Sequence, residues 1–194
     1  MKNICYLFLL VTGIAFTLSA QSQTIKKLEE NNGFKKYKLG SRYQSVYGIK
    51  NKQEDGSFKV VISYVPDKIG NIPVKTIELV YLKDTLAKII VTIAPEYNPQ
   101  LLEGVKNSFG SPSQDLSDNE NTRKLKDKEA RSGPTDLNRY IWRTKKINLE
   151  YYYSYPKFVG DSYSAKDLHL MYAFNDYSAR LERSKKGNTT AKDF

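Results

Sequence analysis

Two blocks of alternating apolar and polar residues, separated by one stretch of helical periodicity, constrain this chain more than any other feature in it. In the first block, residues 58–65 place Phe58, Val60, Ile62 and Tyr64 on one face, the period-two pattern of a half-buried strand. Pro66, Gly70, Asn71 and Pro73 then mark a turn. Residues 74–83 align Ile77, Leu79 and Tyr81, and residues 86–94 align Ala87, Ile89, Val91 and Ile93, so the break at Asp84 and Thr85 predicts a hairpin that lacks a turn glycine. A helix follows: Asn98 can cap it, Pro99 suits its first position, and Leu101, Leu102, Val105 and Phe109 recur at helical spacing before Gly110 and Pro112 stop it.

The second block predicts strands at 140–143, at 147–155 with Ile147, Leu149, Tyr151 and Tyr153 on one face, and at 168–174 with Leu168, Leu170, Tyr172 and Phe174 together. Residues 177–186 carry a short helical signal, with fraying expected after Gly187. With a short helix near 41–47, the order reads as two helix-plus-three-strand units. The expected class is α+β: an antiparallel sheet of about six strands with helices on one face.

The N-terminus has a different character. Lys2 precedes an uncharged apolar stretch over 4–18, then Ser19, Ala20 and a polar run, the layout of a secretory signal peptide over 1–20. Cleavage after Ser19 places Thr17 at the third position before the cut, and cleavage after Ala20 places Leu18 there. The apolar stretch is shorter than the roughly 20 residues a spanning helix needs, and no later stretch could span. The expected product is an exported domain over 21–194, periplasmic or secreted, with no transmembrane span once the signal is removed. Cys5, the only cysteine, lies within the apolar stretch rather than after it, so a lipid anchor is disfavoured and the mature chain has no disulfide or thiol chemistry.

The chain's formal charge of +10 is concentrated at its ends. Residues 24–42 carry six cations against Glu29 and Glu30, and the basic C-terminal tail over 180–194 carries five against Glu182 and Asp193. Such ends suit an anionic surface, which outside the cytoplasm means lipid headgroups or acidic polysaccharide rather than nucleic acid, or they serve solubility alone. Between Ser111 and Asn138 the only sizeable apolar residues are Leu116, Leu125 and Leu137, which reads as a mobile loop at 111–138.

Chemistry-bearing patterns are sparse. His169 is the only histidine, set mid-strand between Leu168 and Leu170, with no Gly-x-Ser-x-Gly or equivalent near it. Asp115, Asp118 and Glu120 lack the spacing and glycine of a calcium loop, and no glycine-rich phosphate loop is present. The expectation is a non-enzyme without cofactor or metal.

Aromatic residues crowd 139–179, and half of them fall on the expected buried face. Tyr152 does not: it shares a face with Asn148 and Glu150, and neighbouring strands can add Arg143, Lys145 and His169. A tyrosine among hydrogen-bonding side chains offers a flat apolar platform with polar rims, suited to a protein hot spot or a sugar ring. Arg143, Lys145, Asn148, Glu150, Tyr152 and His169 are therefore the candidate binding residues.

The segment from Val105 to Pro112, a polar loop, and then Tyr140-Ile-Trp-Arg143 resembles the helix, Gly-x-Pro stop and Trp-bearing strand of small exported proteins in the beta-lactamase-inhibitor-like and SmpA/OmlA-like group. Leu39-Gly40-Ser41 through Val46 is similar to the segment that opens a repeat there. The resemblance implies a non-catalytic domain presenting a sheet face to an envelope or extracellular protein. A small-ligand or glycan-binding module built on the aromatic cluster is the alternative.

Overall fold

The computed structural model describes residues 26–53, 57–63, 65–116, 136–154 and 167–190, so the signal-like segment and most of the expected 111–138 loop lie outside the described residues. A helical turn at 26–31 (α1) leads to a miniature hairpin of β1 (Gly33–Phe34) and β2 (Tyr37–Lys38). β3 (Ile49–Lys52), β4 (Ser57–Ile62), β5 (Lys68–Ile69), β6 (Ile72–Leu82) and β7 (Thr85–Ile93) follow. After a 3-10 turn come α2 (Asn98–Phe109), β8 (Gln114–Asp115), β9 (Asp136–Arg143), β10 (Ile147–Ser154), β11 (Asp167–Phe174) and α3 (Tyr177–Thr190). No described helix is long and apolar enough to cross a membrane.

The expected α+β class holds, with one wholly antiparallel main sheet in the order β3-β4-β6-β7-β11-β10-β9-β8 and β5 paired to β6. Its six long strands are those the alternation marks. Three short pairings raise the main sheet to nine strands: β3 at one edge, β8 at the other and β5 beside β6. β8 falls inside the stretch read as loop, and β9 begins at Asp136, also inside it. Ser113 and Leu116 are held to β9 by N–H donation to the carbonyls of Ile141 and Arg139.

Register turns the period-two pattern into continuous rows. Val60, Leu79, Ile89, Tyr172, Leu149 and Trp142 lie opposite one another from β4 across to β9. Ile62, Ile77, Val91, Leu170, Tyr151 and Tyr140 form the next row. Both rows belong to the core face, covered on one side by Leu101 and Val105 of α2 and on the other by Leu28, Phe34 and Leu39 of the N-terminal segment. Burying such rows is the main driving force for folding here, since each large apolar side chain removed from water contributes about 1.5–3 kcal/mol.

Three expectations need correction. Residues 41–47 are not helical: Gly40 and Tyr43 donate their N–H groups to the carbonyls of Leu86 and Asp84, and Ser41 accepts from Leu86, so this backbone is spent on the end of the β6–β7 hairpin. Tyr43 then packs edge-on against Phe58 and Tyr81, which suits an extended aromatic segment better than a helix. Helices also do not share one face. α2 joins the core cluster, whereas α3 runs from the end of β11 toward the β6–β7 hairpin, with none of its described side chains in that cluster, Tyr177 meeting Lys88 and Arg180 lying over Phe174. Finally, α3 continues past Gly187 to Thr190 where fraying was expected.

The β6–β7 hairpin forms without glycine because Lys83 and Asp84 both adopt positive φ (48° and 63°), the primed two-residue turn whose twist matches the flanking strands. A bulge follows. Val80 pairs with Lys88 but Tyr81 with Leu86, leaving Ala87 as the extra residue. Leu86 rather than Ala87 therefore enters the core cluster, and Ala87 turns toward α3. At α2, Asn98 is not the cap: the helix continues from the 3-10 turn through Tyr97, and the Asn98 side-chain oxygen instead accepts a hydrogen bond from the Tyr151 hydroxyl.

Candidate functional site

The alternation that buries one set of side chains presents the other set on the outer face, and the same register aligns them. Ile49, Val61, Glu78, Ile90, Met171, Glu150, Ile141 and Gln114 form one row across all eight strands of the sheet path. None of its apolar members belongs to the core cluster. Ile49, on the edge strand β3, is 64% exposed, and Tyr47 just before it is 87% exposed. Val61, Ile90 and Met171 are half-buried.

The two carboxylates in this row are each held by a cation. Glu78 pairs with Lys59 at 3.0 Å. Glu150 is buried and accepts from Arg139, with Nε at 2.9 Å and a second donor from the same guanidinium. A β-bulge assists this pair: Asn138 and Arg139 together oppose Tyr152, since Tyr151 pairs with Tyr140 and Tyr153 with Leu137. Bulges re-aim side chains in this way. A carboxylate this buried requires a partner, because desolvation penalises it heavily when alone.

Alongside runs a second row of Thr76, Thr92, His169 and Tyr152. The Tyr152 and His169 rings are directly cross-strand, with centroids 5.1 Å apart and planes tilted by 30°. The Thr92 hydroxyl lies 3.2 Å from His169 Nδ1. Burial pushes the His169 imidazole below its ordinary value of 6.5, Asp167 and Glu78 pull it partly back up, and Lys75 opposes them, so the ring is neutral at pH 7. The nearby acids are engaged elsewhere, Asp167 with Lys75 at 2.7 Å and Glu78 with Lys59. The geometry thus holds the imidazole against the Tyr152 ring and beside the Thr92 hydroxyl.

A neutral, partly buried histidine makes stability depend on pH in a defined direction. Below about pH 6.5 the unfolded imidazole takes up a proton that the folded one accepts only at lower pH, so stability present above that value is lost as pH falls. Denaturation midpoints between pH 7.5 and 5.5 should decline in the wild type. His169→Gln should flatten that decline, and an unchanged slope would remove His169 as its source.

Of the six candidate residues, the structure brings five onto the outer face. Asn148, Glu150 and Tyr152 alternate along β10, His169 faces Tyr152, and Arg143 pairs with Asn148 and donates from Nε to its side-chain oxygen at 3.3 Å. Lys145 is elsewhere, in the β9–β10 turn, where its backbone N–H donates to Glu29 at 3.0 Å. Thr92, Ile90 and the Lys59–Glu78 pair were missed because they join the face through pairings between distant strands, Arg139 because a β-bulge brings it to Glu150, and Met171 although it alternates with His169 along β11. Among the described residues, no three His, Cys, Asp or Glu side chains gather in metal-binding geometry. The chain matches no family model, and no curated protein or solved structure matches it.

Proposed function

We propose that this chain is an exported, non-enzymatic interaction protein that presents the outer face of its sheet to an envelope or extracellular protein. The observation that carries this reading is the outer row, in which Ile49, Val61, Ile90 and Met171 keep exposed surface, Ile141 is buried, and the intervening carboxylates are already paired within the sheet. A partner covering it gains apolar contact without having to neutralise a bare charge, the usual makeup of an interface centre. Polar pairs flank the row: Arg143 with Asn148 on one side and Lys75 with Asp167 on the other. Tyr152, backed by His169, supplies the aromatic anchor typical of hot spots.

The glycan alternative calls for a concave site around Tyr152, whereas the residue sits in an antiparallel ladder between β9 and β11, which favours a protein partner. The signal-like N-terminus supports export, and the resemblance to the SmpA/OmlA-like group supports the same functional class. The test compares capture from envelope extract by the mature domain and by Tyr152→Ala. A partner retained by the wild type should be weakened by roughly 1–3 kcal/mol in the variant, with little loss of fold.

A further inference from the structure

Where the bulge turns Ala87 outward, a pocket of about 320 Å³ opens between the β6–β7 hairpin and α3, lined by Leu82, Lys83, Thr85, Ala87, Arg180, Arg183 and Ser184. It is remote in the fold from the Tyr152 pair and independent of the proposed docking face. Three of its seven lining residues are cations, delivered from two elements: Lys83 from the positive-φ turn, and Arg180 and Arg183 from one side of α3, three residues apart. Asp176 sits at the start of that helix and binds both arginines, Arg180 Nε at 2.6 Å and Arg183 Nη2 at 3.4 Å. The hydrogen bond from Arg180 holds the Asp176 carboxyl below its usual range, so it is ionised at neutral pH and acts as a positioning group for both guanidinium ions.

Among the described residues, one carboxylate against three cations leaves a surplus of positive charge around the pocket. The other acid on α3, Glu182, is taken by Lys185 at 2.8 Å, and Asp84, though next to Lys83, does not line the cavity. Each guanidinium commits only part of its five-donor fork. Arg180 uses Nε on Asp176, and Arg183 uses Nε on the Ala179 carbonyl at 3.1 Å and one further donor on Asp176. Behind the pocket wall lies an unsatisfied polar group. Ser184 is 2% exposed, and its hydroxyl is buried without a hydrogen-bond partner among the described residues, a rare condition in folded proteins.

The geometry points to this pocket as a binding site for a phosphate group carried on a short carbon skeleton. Two arginines and a lysine match the charge and the planar, multi-donor recognition of a phosphate. Leu82 and Ala87 back the pocket with little surface of their own, and its volume lies at the small end of ligand sites, too tight for a large cofactor. Phosphate esters of this kind come from phospholipid headgroups or from small soluble metabolites, and the chemistry at the pocket is common to both.

Titration of the purified mature domain with glycerol phosphate, at constant ionic strength set with chloride, tests the site. The perturbed residues are followed by amide NMR shifts, and a parallel arm measures co-sedimentation with vesicles of phosphatidylglycerol against vesicles of phosphatidylcholine. Saturable shifts confined to Lys83, Thr85, Arg180, Arg183 and Ser184, weakened at least tenfold in Lys83→Gln/Arg183→Gln, establish the site. Both replaced side chains are exposed, so that variant should keep the wild-type denaturation midpoint. Binding to phosphatidylglycerol vesicles that the double variant loses, without saturable glycerol phosphate binding, also establishes it and assigns the source to lipid. Equal binding by wild type and variant in both arms, or no saturable binding in either, overturns it.

Discussion

Trp142→Ala is expected to destabilise the domain by about 3–5 kcal/mol, the range for emptying a buried aromatic site. Trp142 is 3% exposed, ends the row that runs from Val60 through Leu149, and lies in the core cluster with Leu101 and Val105 of α2. Its indole Nε1 also donates to the Gly110 carbonyl at 2.8 Å, just past the end of that helix, where positive φ turns the chain away. The residue thus joins β9 to the C-terminus of α2 by packing and by a directed bond. Trp142→Phe should cost less, since an aromatic ring, though smaller, still fills most of the site, and losing the bond to the half-buried Gly110 carbonyl adds about 1 kcal/mol. Urea denaturation followed by far-ultraviolet circular dichroism separates the two, and an alanine variant within 1 kcal/mol of wild type would mean that α2 does not pack on this strand.

The second large effect is expected on the opposite face. Arg139→Met should destabilise by about 2–3 kcal/mol, somewhat below the cost of breaking a fully buried pair because the arginine side chain is 33% exposed. The loss arises less from the missing attraction than from Glu150, left as a buried carboxylate without its guanidinium. Adding Glu150→Leu should therefore restore most of the stability, since a paired charge replaced by apolar groups is often neutral. A double-mutant cycle measures the coupling directly. If the loss in the double variant equals the sum of the losses of Arg139→Met and Glu150→Leu alone, the pair has no coupling energy, and the bulge at Asn138 and Arg139 has some other purpose.

The parts of this fold legible in the sequence are those that repeat a period over many residues. Val60-x-Ile62, Ile77-x-Leu79-x-Tyr81 and Leu168-x-Leu170-x-Tyr172 state which face is buried, and the structure places each of them there. What failed were features set by single pairings. β5 and β8 are two residues long and too short to carry a period, and Ile49-Lys50-Asn51-Lys52 has none to show. The exchange of Ala87 for Leu86 in the core arises from one bulge, and residues 41–47 are extended because the hairpin end offers their backbone partners. The site divided along the same line. Alternation along β10 suffices to group Asn148, Glu150 and Tyr152, and a mid-strand histidine between leucines has to face outward with them. Thr92 and Ile90 became neighbours of that group only because β11 inserts between β7 and β10, an order that no local pattern encodes, whereas Met171 alternates with His169 along β11. Lys145 was drawn in by proximity in sequence, although it lies in the turn, beyond the strand ladder.

The most direct measurement is the affinity of the captured partner for wild-type domain and for Tyr152→Ala, each checked for an unchanged denaturation midpoint. The expected result is a fold that survives, because Tyr152 packs on His169 outside the core cluster, together with binding weakened by roughly 1–3 kcal/mol, mostly through faster dissociation. Unchanged affinity in a correctly folded Tyr152→Ala domain would contradict the assignment of the outer face as the docking surface.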